Sequence, residues 1–449
     1  MKNLILLSTF VLSLAYLSAQ AEEKEKPLMR DFMGINSHVS FKPELYRQVC
    51  HLVRNYHNIP WDVKQPGDPI TYPKNIEGFN WEKRLYGPWN KAGFEINLCA
   101  QFNHFGAKKN DDYKALWEGQ GDWIEEYGYA LAKYKGVDGQ SLVNSIEIGN
   151  EPGDVFDSDV FMPLFKRMAQ GIRRADPDMR ILTCTAKAGK ADRWSKSLNE
   201  DFSSPEIKKL YDVISVHTYA ELPKGEGRHP WERMHPESDR THYLKVLDET
   251  IEWRNKNADD KEIWITEFGW DSATPEAMKK RVKGFKEYGW EGETDLNQAQ
   301  WIVRSFLLFS ELDIDRAYLY WFNDKDEART HGASGLTRHF KPKMSFWAVK
   351  HLYDTLGGYR FSRVIEKKDD LYVFEYTPEK AEDGIIWIAW SPTDSEASKE
   401  VTLDRLPARP KSIVSSPLAK GEAPEVPAKQ LGSDAIKLEV TETPVFIMM

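Results

Sequence analysis

The chain has 449 residues, a net charge of −9 and 41% hydrophobic residues. This is the composition of a globular protein with ample apolar material for a core, and it excludes a disordered or collagen-like chain. The acidic balance lacks the basic surface of a nucleic-acid-binding protein, so no nucleic-acid partner is expected. The length predicts more than one domain.

The first 21 residues have the pattern of a signal peptide. Lys2 precedes an apolar run from Leu4 to Leu17, and the small residues Ser18-Ala19-Gln20-Ala21 follow it. The pattern predicts cleavage after Ala21 and export, so that the mature protein is secreted or periplasmic. An uncleaved anchor helix is the alternative, but the run is short for a membrane span. No stable membrane insertion is expected from any later segment.

The three cysteines are Cys50, Cys99 and Cys184. They are too few for a disulfide framework, and no Cys-x-x-Cys pair suggests a thiolate metal site. Cys99 and Cys184 fall inside apolar runs, which predicts small core residues. We expect no metal and no other cofactor, and the sequence does not indicate an oligomeric state.

Eight short β-rich runs alternate with longer helical stretches between residues 22 and 358. This alternation predicts a parallel sheet with helical crossovers, and eight such units predict a (β/α)₈ barrel. A doubly wound open sheet is the alternative, but Gly34-Ile35-Asn36-Ser37 does not resemble its Gly-rich phosphate turn. The predicted strands are Phe32–Ser37, Leu52–His57, Phe94–Phe102, Ser145–Gly149, Arg180–Thr185, Val213–Tyr219, Glu262–Phe268 and Arg316–Phe322.

Residues 359–449 change to short β-rich runs separated by Pro, Gly and Asp/Ser clusters. No segment with helical periodicity interrupts them. The pattern predicts a small all-β sandwich. We expect it to pack against the barrel as a stabiliser, and a sugar-binding role is the alternative.

Two predicted barrel strands end in a carboxylate. Strand four runs into Asn150-Glu151-Pro152, and strand seven ends in Thr266-Glu267-Phe268-Gly269. The active site of such a barrel forms at the carboxyl ends of its strands. Two facing carboxyl groups are what glycosidic cleavage requires, one to protonate the leaving oxygen and one to attack the anomeric carbon. In a retaining enzyme they lie about 5–5.5 Å apart.

These two segments resemble those of glycoside hydrolase clan A, the retaining barrel families, and the resemblance covers roughly Met33 to Trp347. It implies that Glu151 is the general acid/base and Glu267 the nucleophile. It also implies that Asn150 donates a hydrogen bond to the sugar 2-hydroxyl. The expected protein is a secreted retaining β-glycoside hydrolase with a carbohydrate substrate.

The resemblance implies further substrate-binding residues. His217 and Tyr219 share one face of strand six, and the clan pattern has Tyr bonded to the nucleophile and His lining the sugar site. Arg54 matches a cation that keeps the nucleophile ionised, and Trp321 matches an aromatic floor under the sugar. Packing or salt-bridging roles are the alternative for each residue.

Strands one and three offer additional polar candidates at their carboxyl ends. Asn103 and His104 follow strand three as potential sugar ligands, and Asn36 and His38 do so on strand one. The alternative for these residues is a structural role in the core or in a loop.

Two loops are expected to shape the cleft, because long loops in compact domains are often functional. One or two aromatics of the loop after strand two are expected to stack on sugar rings, and the others to pack the loop. The region from Asp271 to Asn297 is rich in charge and predicts a flap or a solvated helix. The aromatics are Trp61, Tyr72, Trp81, Tyr86 and Trp89.

Three other functions are alternatives to a retaining glycoside hydrolase. A metal-dependent barrel hydrolase would need several His residues on strands one, five and six, whereas strand one has His38 alone. A non-catalytic carbohydrate-binding protein and a transglycosylase fit the same barrel, and the transglycosylase shares the covalent intermediate. The sugar, its linkage and endo or exo action stay open.

Overall fold

The computed structural model describes residues 25–37, 42–72, 82–102, 113–153, 156–223, 231–281 and 289–449. The predicted signal peptide lies outside these ranges. Within them, no helix combines the length and apolar character needed to cross a membrane.

Eight parallel strands close into a barrel. Each strand pairs with the next one along the chain, and the eighth pairs with the first. This confirms the predicted (β/α)₈ barrel, although the sixth and eighth strands end earlier than expected and leave Tyr219 and Trp321 just beyond them. The strands are β1 Met33–Ser37, β2 Leu52–Asn58, β3 Glu95–Gln101, β4 Ser145–Ile148, β5 Arg180–Lys187, β6 Val213–His217, β7 Glu262–Phe268 and β8 Arg316–Leu319.

Five long helices cover the barrel: α1 Gly121–Lys135, α2 Ser158–Ala175, α3 Lys245–Asn257, α4 Asp295–Glu311 and α5 Met344–Leu356. Helix α4 is buried on all sides from Gln298 to Ser310, because the barrel covers one side and the C-terminal domain covers another. Shorter helical segments are Met29–Phe32, Pro43–Tyr46, Ile59–Trp61, Glu82–Tyr86, Gly87–Lys91, Tyr113–Trp117, Pro205–Lys208, Pro275–Lys279 and Ala381–Asp383. Short strands in the loops are Lys196–Ser197, Glu221–Pro223, Trp231–Arg233, Asn323–Asp324, Thr337–Arg338 and Lys341–Pro342.

The barrel interior is apolar at its base and polar near its top. Gly34 faces the Tyr318 ring, and a Cβ on Gly34 would lie 2.4 Å from that ring, so the close approach requires glycine. The base is closed by Leu52, Leu182, Val213, Trp264 and Tyr318. Polar side chains of the upper layer are therefore held above a packed floor, away from water on that side.

The C-terminal residues form the predicted all-β sandwich. The strands are β9 Tyr359–Lys368, β10 Leu371–Pro378, β11 Ile386–Trp390, β12 Lys399–Leu403, β13 Ser412–Ser415, β14 Ala428–Leu431, β15 Ala435–Val440 and β16 Val445–Met448. The larger sheet has the order β9–β10–β11–β16–β13, and the smaller sheet has the order β12–β15–β14.

Alternate residues of the larger sheet serve two different cores. Val373 and Ala389 pack towards the smaller sheet. Phe374 and Ile388 join the hydrophobic core of the barrel. This period-two alternation makes the larger sheet a shared wall. The core of the barrel thus extends onto one face of this sheet. The predicted domain limits 22–358 and 359–449 stay predictions.

A buried ion pair also joins the two parts. Arg304 on α4 pairs with Glu237, and its Nη1 donates to the Thr393 carbonyl at 2.9 Å. Trp390 Nε1 donates to Glu237 Oε1 at 2.8 Å. Burial alone would raise the pKa of Glu237, but Arg304 and the hydrogen bonds to the carboxylate lower that pKa to about 2.

We predict that Glu237→Gln lowers the free energy of unfolding by about 3 kcal/mol at neutral pH, because it leaves the buried Arg304 charge uncompensated. A depressed folded-state pKa stabilises the fold above the ordinary carboxyl pKa, and this contribution disappears as the pH falls towards 2. The difference in stability between variant and wild type, measured by denaturant titration, should therefore shrink in acid.

The control is Glu311→Gln, which removes a more exposed pair with Lys367 between the same two domains. It should cost no more than about 1 kcal/mol. An equal loss in both variants would contradict the assigned role of the Arg304–Glu237 pair.

Candidate active site

Arg54 is fully buried at the centre of the barrel and organises the polar layer. Its Nε and Nη2 donate to both oxygens of Glu147, at 2.6 and 2.9 Å. Nη1 donates to Glu267 Oε1 at 3.0 Å and to Asn36 Oδ1 at 2.9 Å. Nη2 also donates to Asn150 Oδ1 at 2.7 Å. One guanidinium thus ties β1 and β2 to both segments that carry the predicted catalytic carboxylates.

Glu147 is the fully buried counterion of Arg54. A buried charge is costly unless it is paired and hydrogen-bonded. Ser215 Oγ donates to Glu147 Oε1 at 3.0 Å, and Asn97 Nδ2 donates to Oε2 at 3.3 Å. Both carboxylate oxygens are therefore saturated by the protein, which gives Glu147 a structural role behind the site.

A β-bulge turns Glu267 into the barrel. Ile265 pairs with Val216 and Glu267 pairs with His217, so one extra residue of β7 sits between the two pairs. In a regular strand Thr266 and Glu267 would point to opposite faces. Here the Thr266 hydroxyl contacts Ser215 inside the barrel, while Glu267 reaches Arg54. The bulge re-aims the second side chain.

Glu267 is held in its ionised form. Tyr56 Oη donates to its Oε1 at 2.5 Å, and Tyr219 Oη donates to its Oε2 at 2.9 Å. Burial alone would raise the pKa of Glu267, but the charges of His217 and Arg54 and the hydrogen bond from Tyr56 lower that pKa to about 2. The residue is thus an anion at neutral pH.

Glu151 faces Glu267 with a different environment. Its side chain is 25% exposed, against 6% for Glu267. His217 Nδ1 lies 2.8 Å from Glu151 Oε1, and His217 Nε2 lies 3.7 Å from Glu267 Oε1. A carboxylate oxygen of each Glu and a ring nitrogen of His217 all lie within 4.8 Å of one another. The separation suits a retaining site better than the wider spacing of inverting enzymes.

Gly149 sets the direction of the Asn150-Glu151 segment. It ends the β4 run at φ 84°, a backbone conformation that favours glycine. The position of its missing side chain is taken by the Phe161 ring, 3.0 Å from where a Cβ would lie. The sharp turn brings Asn150 under Arg54 and Glu151 towards His217.

The two carboxylates open into one cavity of about 310 Å³. The residues that line it are Tyr56, Asn58, Trp61, Gln101, Asn150, Glu151, Glu267, Tyr320 and His331. Aromatic and polar side chains alternate around it, as is usual for a small-molecule site.

The structure brings most of the predicted residues together. Glu151, Glu267 and Asn150 line the cavity. His217 and Tyr219 contact the carboxylates directly. Arg54 donates to Glu267 and to Asn150, the residue before Glu151, from below the cavity.

Other candidates lie elsewhere. Asn36 is fully buried, and its Nδ2 donates to the Thr266 carbonyl at 2.8 Å, so it supports the site from behind. Trp321 is half-buried, and its ring centroid lies 5.8 Å from that of Tyr320, the residue of the two that lines the cavity. Asn103, His104 and His38 lie outside the described residues.

The aromatics of the loop after β2 divide between the cavity and packed positions, and sugar stacking stays a prediction. Trp61 lines the cavity. Tyr86 and Trp89 are buried, and Tyr72 Oη donates to Asp62 Oδ2 at 2.7 Å. Trp81 lies outside the described residues.

Several residues of the site were not predicted from the sequence, among them Tyr56, Glu147 and His331. Tyr56 follows Arg54 by two positions, so strand periodicity places both on one face. Glu147 stands between Ile146 and Ile148, and a carboxylate inside an apolar strand is a signal of a paired buried charge. His331 belongs to the loop after β8, where the sequence carries no such signal.

Asp271 fixes the segment that carries His331. Its Oδ2 accepts from the His331 backbone N–H at 2.9 Å, and its Oδ1 accepts from the Ala333 N–H at 2.9 Å. The His331 ring then lies 5.0 Å from the rings of both Tyr219 and Tyr320. Asp271, the first residue of the predicted flap region, therefore anchors the loop that carries His331.

Among the described residues, Glu151, His217 and Glu267 form a group close enough to hold a metal ion. The donor chemistry favours hydrogen bonding instead, because Glu267 already accepts from Arg54, Tyr56 and Tyr219. These contacts occupy lone pairs that a metal would need.

Comparisons with known proteins place the fold. No protein-family model and no curated protein sequence matches the chain. Solved structures do match. A family 39 glycoside hydrolase from Bacteroides cellulosilyticus WH2 aligns over 94% of this chain and 81% of its own, with 15% identity and a TM-score of 0.66.

Two further structures align over nearly the whole of both chains. A glucosidase from Croceicoccus marinus covers 95% of this chain and 97% of its own, at 12% identity and a TM-score of 0.60. A family 30 endoxylanase from Clostridium papyrosolvens C71 covers 94% and 97%, at 13% identity and a TM-score of 0.57. The chain has the fold of clan A glycoside hydrolases. The resemblance stated from the two Glu segments is thus confirmed at the level of the fold.

We predict that Tyr56→Phe raises the pKa of Glu267, because it removes a hydrogen bond that favours the ionised carboxylate. A pH titration of the Glu267 carboxyl ¹³C resonance measures this directly. Tyr72→Phe is the matched control, since its hydroxyl binds Asp62 instead. An unchanged Glu267 titration in Tyr56→Phe would show that the short contact has no electrostatic role.

Proposed function

We propose that the protein is an exported retaining β-glycoside hydrolase that cleaves an oligosaccharide or polysaccharide by double displacement. The observation that carries this proposal is the pair Glu151 and Glu267, which face each other within 4.8 Å in one cavity but in unequal surroundings. Pairs of carboxyl groups whose environments separate their protonation states are the usual acid and nucleophile of this chemistry. The clan A fold supports the same reaction class. Export rests on the signal-peptide pattern.

Glu267 acts as the nucleophile. Its carboxylate attacks the anomeric carbon, an ester bond to the sugar forms, and the glycosidic C–O bond breaks. Tyr56, Tyr219 and Arg54 keep it ionised and fix its orientation. The same donors stabilise the carboxylate that is released when the ester is cleaved.

Glu151 acts as the acid and then as the base. It gives its proton to the leaving oxygen in the first step and removes a proton from water in the second. His217 contacts Glu151 through Nδ1 and lies close to Glu267 through Nε2. The His217 ring therefore lies between the acid/base and the nucleophile.

Asn150 positions the sugar. Its Oδ1 accepts from Arg54, which leaves the amide nitrogen as the end directed to a sugar hydroxyl. Such a contact to the 2-hydroxyl strengthens as the oxocarbenium-like transition state forms. Transglycosylation is the second candidate, because an acceptor sugar can replace water at the same intermediate.

The similar solved structures do not identify the sugar. One of them is an endoxylanase and another is a glucosidase, and these enzymes act on different substrates. A panel of aryl β-glycosides and β-linked polysaccharides of glucose, xylose, mannose and galactose identifies it. A non-catalytic binding protein would bind one of these ligands without releasing product.

We predict that Glu151→Ala lowers kcat/KM by about 10²–10⁴-fold on substrates with a poor leaving group. The loss should be much smaller with a dinitrophenyl glycoside, whose leaving group needs no proton, and added azide should yield a glycosyl azide. Release of dinitrophenol and product analysis measure both effects. The control is Glu200→Ala, an exposed carboxylate in the loop after β5. Equal losses on both kinds of substrate would contradict the acid/base role.

We also predict that the first product has the same anomeric configuration as the substrate, because two displacements at one carbon restore it. Proton NMR of the reaction, recorded before mutarotation, reads the anomer directly. An initial α-anomer from a β-linked substrate would overturn the double-displacement mechanism.

A further inference from the structure

Trp194 is unusually exposed for its type. Its relative exposure is 46%, and no other Trp, Tyr or Phe among the residues with a described side-chain exposure is as exposed. Most Trp side chains in the chain are buried in its cores. An aromatic ring that stays in water does not gain the free energy of burial. The exposed ring is therefore a candidate for contact with a ligand.

The loop that carries Trp194 lies directly against the acid/base segment. The Gly153 N–H donates to the Trp194 carbonyl at 3.2 Å. A Cβ on Gly153 would lie 1.8 Å from the Arg193 carbonyl oxygen, so the two loops can meet only because this residue is glycine. Glu151 is two residues before Gly153, a span of at most about 7 Å. The backbone of Trp194 is therefore close to the backbone of the segment that carries Glu151.

The backbone of this loop is held in place. Asp192 Oδ1 accepts from the Trp194 N–H at 2.9 Å and from the Ser195 N–H at 2.7 Å. The buried Lys196 donates to the Gly153 carbonyl at 3.3 Å. The Arg193 guanidinium lies 4.4 Å from the centroid of the Trp194 ring and stacks against one face of it. These contacts fix the backbone at Trp194 and cover one face of its ring.

We propose that Trp194 is a stacking platform for a sugar on the leaving-group side of the cleft, so that the natural substrate carries a glycan chain there instead of a small aglycone. The proposal rests on the proposed function and names the substrate class of that site. Glu151 protonates the leaving oxygen, so the leaving group departs past Glu151 and its neighbours. An apolar sugar face packs on an aromatic plane. Trp194 is not among the residues that line the 310 Å³ cavity. We therefore assign its sugar to a position beyond the bond that is cleaved.

The test compares two substrate types in the full chain. The first is a glycosyl fluoride, whose leaving group is too small to reach Trp194. The second is the matching β-linked series from disaccharide to hexasaccharide, with glucose, xylose, mannose and galactose as the sugars tried. For Trp194→Ala, the ratio of kcat/KM on the longer oligosaccharides to kcat/KM on the fluoride should fall about tenfold. Trp194→Phe, which keeps a flat ring, should restore most of the ratio.

Val137→Ala is the matched control, because Val137 is another exposed apolar side chain, 70% exposed, beyond the far end of α1. It should leave the ratio unchanged. An unchanged ratio in Trp194→Ala, or equal losses on fluoride and oligosaccharide, would overturn the platform while leaving the hydrolase intact. A wild-type chain that hydrolyses neither substrate type would instead overturn the proposed function, and the platform with it.

Discussion

The site depends on one buried cation. Arg54 sits where solvent cannot reach it, and an isolated charge there would be strongly disfavoured. Glu147 compensates that charge through both of its oxygens, which leaves the remaining N–H groups of the guanidinium to orient Glu267 and Asn150. A lysine could not replace it, because a single ammonium lacks the planar fork that contacts several partners at fixed angles.

The two candidate catalytic carboxylates differ because of what surrounds them. Glu267 is nearly inaccessible and accepts hydrogen bonds from three side chains. Glu151 is partly exposed and contacts His217. An anion surrounded by donors keeps its charge, whereas a carboxyl group at the cavity wall can exchange a proton with the leaving group and then with water. The proposed division of roles follows from these environments.

The fold was predictable because apolar strands and helices alternate regularly, and the strand-end positions of Glu151 and Glu267 made both residues visible. The β7 bulge was not predictable. Regular strand alternation places Thr266 and Glu267 on opposite faces of the sheet, whereas the bulge lets both side chains point into the barrel. Strand periodicity from Arg54 was the available signal for Tyr56.

Residues supplied by loops were harder to find. His331 reaches the cavity only because Asp271, sixty positions earlier, binds its backbone. Tyr320 lines the cavity, whereas the neighbouring Trp321 does not. Strand periodicity could not tell the two apart, because β8 ends at Leu319, before either residue. Long-range contacts of this kind leave no local pattern in the sequence.

The central claim, that Glu267 becomes covalently attached to the sugar, is tested most directly by trapping that intermediate. A 2-deoxy-2-fluoroglycosyl fluoride slows both displacements but leaves the good fluoride leaving group for the first. Mass spectrometry of the treated protein should show the addition of one fluoroglycosyl group, on the peptide that contains Glu267. Attachment to Glu151 or Glu147, or an unlabelled protein that still turns over its substrate with inversion, would contradict the account.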